Sequence, residues 1–94
     1  MNVHFHTKEG GPERLLAEAE VHLEGDLEGM KLVGFSLWRR ADGDVLVTVP
    51  ARAFGMGSDR RYFDLLRSVD GNGKAVKAVK DRIIQAYRKH QAEV

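Results

Sequence analysis

From Leu15 the chain alternates with a period of two: Leu15, Ala17, Ala19, Val21 and Leu23 point one way, and Glu18, Glu20, His22 and Glu24 point the other. That is the pattern of a half-buried antiparallel strand with one wet face. Read as a helix, the same five apolar residues would scatter around the cylinder. Asn2 to His6 reads as a short edge strand and Lys8 to Pro12 as a loop; Gly25 to Gly29 reads as a turn. The next run, Met30 to Arg39, is apolar on both faces, with Val33, Phe35 and Leu37 on one and Met30, Leu32 and Trp38 on the other. Asp42-Gly43 then marks a tight hairpin into a strand over Val45 to Val49, which Pro50 ends or holds at an edge. After a Gly-containing basic loop, Arg61 to Val69 is most simply another strand.

Asp70 to Gly73 breaks the chain, and a helix follows over about Lys74 to His90, with Asn72 as its N-cap. Val76, Val79, Ile83, Ala86 and Tyr87 fall in one stripe about 100° wide, the core-facing pattern, with Ile84 and the lysines outside it. The expected architecture is α+β: a small antiparallel sheet under one C-terminal amphipathic helix, in a single domain over residues 1–94. One helix of this length, roughly 25 Å, covers one face of a small sheet and not two. The Val33/Phe35/Leu37 face is therefore expected to be covered by a second copy of the chain, through its strands, or by the first 23 residues folding over it.

Composition changes this picture in two ways. The sequence has no cysteine, which excludes disulfides and Cys-ligated zinc and fits a reducing cytoplasm. It shows no signal-peptide pattern and no apolar run long enough for a membrane helix, so a cytoplasmic protein with no membrane partner is expected. Net charge is +1, but it is unevenly spread. Residues 1–45 carry five Lys/Arg against nine acids, while residues 46–94 carry ten against five. Such asymmetry points to a polyanion-binding face, or to nothing more than a Lys-rich solvated helix.

Candidate chemistry is sparse. Gly71-Asn72-Gly73-Lys74-Ala75-Val76 copies two glycines of the dinucleotide fingerprint, but Val76 replaces the third and no βαβ unit follows. Glycines at a helix start, with Lys74 and Lys77, leave open a phosphate contact there. His4 and His6 share a strand face at the spacing of a metal pair, but two ligands are not a site, and neither His22 nor His90 has a visible link to them. No carboxylate pair sits in apolar surroundings, and neither Ser36 nor Ser58 lies in a nucleophile elbow. No reaction, cofactor or small-molecule substrate is expected. The strongest signal is the cluster Arg52, Arg60, Arg61 and Arg67 interleaved with Phe54, Tyr62 and Phe63, the mixture that grips phosphates and stacks on bases. The competing reading is a set of surface arginines paired with Asp59 and Asp64.

The order Asp42-Gly43, then Val47-Thr48-Val49-Pro50-Ala51-Arg52, then Arg60-Arg61-Tyr62-Phe63-Asp64-Leu65-Leu66, then a helix, resembles the stage V sporulation protein G family, the bacterial septation regulators. The resemblance spans about residues 13–90. Arg52 matches the basic residue after the proline and Asp64 the acid after the aromatic; Leu65 to Val69 departs from the His-Pro that the family usually carries. It implies a small homodimer with swapped or paired strands that binds DNA, or RNA, as a regulator. Arg52, Arg60, Arg61 and Arg67, with Lys74 and Lys77, are then the expected nucleic-acid contacts. The alternative is a protein-interaction module that binds no nucleic acid, docking a partner through the Val33/Phe35/Leu37 face or through Ile84.

Overall fold

Six strands and one helix build the chain in a computed structural model that describes residues 2–93. The strands are β1 (Asn2–His6), β2 (Leu15–His22), β3 (Lys31–Arg39), β4 (Val45–Thr48), β5 (Ala51–Phe54) and β6 (Arg61–Asp64); the helix α1 is Lys74–Ala92. The first four form one antiparallel sheet in the order β1-β2-β3-β4, and β5 and β6 form a separate two-stranded ribbon. This is the expected α+β architecture, with α1 lying across one face of the larger sheet. Among the described residues no helix is long and apolar enough to cross a membrane.

The core is a single layer of side chains between sheet and helix. Ala17, Ala19 and Val21 from β2, Phe35 and Leu37 from β3, and Val47 and Val49 meet Ile83 and Tyr87 of α1. Phe5 of β1 closes one end, its ring edge-on to Tyr87 at 5.4 Å between centroids. Small residues on β2 let the helix approach, and Phe35 fills the space they leave, with no exposed surface at all. Ile84, expected outside the helix stripe, is half-buried against this core rather than free to dock a partner. Gly73, not Asn72, occupies the N-cap position, in the left-handed conformation. Asn72 still serves the helix start, because its Oδ1 accepts the Lys74 N–H at 2.9 Å.

Two irregularities in the β2–β3 ladder correct the expected faces. Ala19 pairs with Phe35 and Val21 with Leu32, so two residues of β3, Val33 and Gly34, oppose the single Glu20. Such a bulge reverses the in–out parity along the strand. Leu32 thereby shares the core side with Phe35 and Leu37, lining a cleft with Val21, Leu66 and Val79. Val33 is turned out and is 58% exposed. The bulge depends on Gly34, whose φ of +102° is a region that other residues seldom adopt, and a Cβ there would crowd Pro50. Near the start of β2, Leu15 pairs with Trp38 and Ala17 with the adjacent Leu37, so Leu15 sits on the wet face and Leu16 packs toward the core.

A single face of Val33, Phe35 and Leu37 awaiting cover therefore does not exist. Phe35 and Leu37 are buried under α1 within one chain, and the opposite face of the sheet is mostly polar. There Trp38 donates its indole N–H to Thr48 Oγ1 at 3.1 Å. What the fold leaves uncovered is the ribbon.

Candidate nucleic-acid interface

Pro50 separates β4 from β5 and turns the chain out of the sheet. The expected basic loop after it is partly a strand: Ala51 to Phe54 pair with Arg61 to Asp64, with Arg52 opposite Phe63 and Phe54 opposite Arg61. The strand expected over Arg61 to Val69 is only four residues long, because its partner β5 is no longer than that. Leu65 N–H donates to Pro50 O at 2.8 Å and closes the base of the ribbon. At the tip, Gly55 has φ +79°, and a Cβ there would lie 2.5 Å from Asp59 O, so only glycine fits this turn. A single 3-10 turn over Gly57–Asp59 follows and delivers Arg60.

Cross-strand register sorts the side chains onto two faces. Arg52, Phe54, Arg61 and Phe63 share one; Ala51, Ala53, Tyr62 and Asp64 share the other. On the first face the Phe54 and Phe63 rings meet edge to face at 6.0 Å. The Arg52 guanidinium lies 5.5 Å from the Phe54 centroid. That of Arg67, arriving from the loop after β6, lies 4.1 Å over Phe63. Arg60 is set over Tyr62, at 5.5 Å, on the other side. Every ribbon residue from Ala51 to Phe54 and from Arg61 to Asp64 is exposed. None of the four guanidiniums makes an ion pair among the described residues, so the pairing with Asp59 or Asp64 that would have neutralised them is not formed.

The expected contacts thus divide. Arg52, Arg61 and Arg67 come together on one face and Arg60 flanks it. Between the end of β6 and the start of α1 lies an open groove of about 830 Å³, lined by Arg67, Ser68, Gly71, Gly73 and Val76 among others. Lys74 stands exposed at the helix start, whereas Lys77 is held by Asp81 at 2.7 Å. The helix start is also less open to a phosphate than its glycines suggest. Ser68 Oγ accepts the Val76 N–H at 3.3 Å and Asn72 takes that of Lys74. The dinucleotide-like glycines follow a loop rather than a strand, which removes the strand–turn–helix geometry that the fingerprint requires.

A second polar cluster occupies the wet face of the larger sheet. Glu20, only 13% exposed at its side chain, receives Lys31 Nζ at 2.8 Å, His22 Nε2 at 3.1 Å and His6 Nε2 at 3.5 Å. The hydrogen bond from Lys31, and after it that from His22, hold its carboxyl down from 4.5 to about 2, against the burial that pushes it up. His22 is also linked to the N-terminal strand, contrary to expectation, because its ring stacks on His4 at 4.0 Å. Sequence spacing could not reveal this hub, since it depends on the β1–β2 register that sets His4 opposite Glu20. With Lys31 on one carboxylate oxygen, the cluster is a structural clamp on β1, and among the described residues no group of three or more ligating side chains has metal-binding geometry.

No family model, curated protein or solved structure matches the chain.

Proposed function

We propose that this chain is a nucleic-acid-binding regulator, acting as a homodimer, whose contact surface is the β5–β6 ribbon with Arg67 and Lys74. One observation carries the reading: four guanidiniums stand on or beside a projecting ribbon, none of them paired with an acid among the described residues, and three lie over aromatic rings. Unpaired arginines clustered with exposed aromatics suit phosphates and bases better than any other polyanion. The resemblance to the septation regulators, whose most specific stretch is this segment, points the same way and suggests DNA or RNA as the target.

The homodimer has independent physical support. A two-stranded ribbon is at best marginally stable in water, and this one buries none of its eight strand residues. A second copy against its Ala51/Ala53/Tyr62 side or its open edges would supply the missing burial. The need for a dimer thus moves from the sheet to the ribbon.

The test is a titration of wild-type protein against random-sequence oligonucleotides at two salt concentrations, with light scattering at the same protein concentration. Counterion release makes log K fall by about 0.7 to 0.9 for each phosphate contact per unit log salt, so three to five contacts give a slope of roughly −2 to −4.5. A dimer mass is expected. Absence of binding at low salt would contradict the assignment.

A further inference from the structure

The two phenylalanines of the arginine face touch each other and two arginines, yet stay half open within one chain. Phe54 is 47% exposed and Phe63 42%, although each belongs to a paired strand. A second copy is a poor cover for them. A symmetric contact through this face would set Arg52, Arg61 and Arg67 against their own mates, and juxtaposed like charges oppose association. Whatever covers the face must be anionic and must also present flat apolar surface. Duplex DNA offers phosphates but keeps its base faces stacked inside; a single strand offers both.

We infer that the Arg52/Phe54/Arg61/Phe63 face, with Arg67, binds single-stranded nucleic acid by stacking bases on its rings and guanidinium planes, in preference to a duplex. This rests on the nucleic-acid reading above and narrows it to a substrate class. The geometry supplies the platform: two rings 6.0 Å apart, with one guanidinium 4.1 Å over Phe63 and another 5.5 Å from Phe54. A guanidinium held over a ring is itself a stacking surface and keeps its N–H donors free for the adjoining phosphate. Because every base has a π-face, the expected recognition is tolerant of sequence. Arg60 over Tyr62, on the far side of the ribbon, lies where the strand could continue around the edge.

The test compares three labelled probes of about 12 nucleotides, within the size range of single-strand sites: a thymidine strand, the same backbone without bases, and a mixed-sequence duplex. Fluorescence anisotropy is read at low salt with the full-length protein. The thymidine strand is expected to bind about tenfold or more tighter than the duplex, and the abasic strand about 5- to 150-fold more weakly, the range for one stacked base. Phe63→Leu, which keeps apolar bulk but removes the ring, should weaken the thymidine strand within the same range and by more than it weakens the abasic strand, which loses only the seat of Arg67. If base-bearing and abasic strands bind equally, or the duplex binds more tightly, stacking is overturned while the basic ribbon stands as a phosphate site. If none of the probes binds, the nucleic-acid reading falls with it. The abasic comparison uses wild-type protein alone, so it decides the question whether or not the Phe63 variant folds.

Discussion

Replacing Gly34 by alanine should damage the fold more than its exposed position suggests. The residue is the extra one in the β3 bulge, with φ +102°, and a Cβ there would lie 3.3 Å from Pro50 Cβ. Holding a non-glycine residue in such a backbone conformation costs about 1–3 kcal/mol, and the crowding against Pro50 adds to it. A domain of this size loses roughly 4–8 °C of Tm per kcal/mol, so a fall on the order of 10 °C is expected, measured by circular dichroism. Gly43→Ala provides the comparison: its φ is +86°, but nothing lies within 4 Å of a Cβ there. It should show the backbone penalty without the crowding by Pro50. If Gly34→Ala melts with the wild type, the bulge is not needed, and the account of which β3 residues face the core is wrong.

Four further outcomes follow from the same geometry. Val33→Asp should change stability by no more than about 0.5 kcal/mol, as for ordinary surface substitutions, whereas Phe35→Asp should leave no folded protein because it buries an unpaired charge; equal effects in urea melts would restore the uninterrupted alternation. Glu20 has its folded pKa below its ordinary value, so its ionised form stabilises the fold fully above pH about 4.5, and that contribution disappears as pH falls toward about 2. Glu20→Gln should flatten the stability profile in that window, and an unchanged profile would remove the clamp on β1. Gly55→Ala should weaken oligonucleotide binding by displacing the loop that delivers Arg60, while the melting of the sheet–helix core stays close to wild type. Light scattering should give a dimer, and a monomer mass at high concentration would leave the ribbon's exposed surface without its proposed cover.

Most of the sheet and the helix were legible because they have strong periodic signatures. The alternation in β2 from Ala17 onward, the Asp42-Gly43 turn and the apolar stripe of α1 translate directly into observed structure. Parity along β3 was not legible. A one-residue bulge leaves no mark on the hydrophobic pattern except an unexplained glycine, and Gly34 sits in a run that reads equally well without interruption. The error propagated: taking Val33 with Phe35 and Leu37 created an uncovered face, when two of the three are buried under the helix. The short strand β5 was hidden because Pro50 and the small residues Ala51 and Ala53 carry little strand signal, and its register is set by pairing with β6. The arginine–aromatic cluster was visible as composition. Its division into two faces, and the failure of Asp59 and Asp64 to neutralise it, required coordinates.

Contact between the ribbon arginines and nucleic acid is tested most directly by Arg60→Ala combined with Arg61→Ala. Both side chains are exposed and form no ion pair among the described residues, so stability should be unaffected. The measurement is the slope of log K against log salt for one oligonucleotide, wild type against variant. The account predicts weaker binding to every sequence alike and a slope flatter by about one unit for each phosphate no longer neutralised. A folded variant that binds as tightly as the wild type, with the same slope, would contradict it.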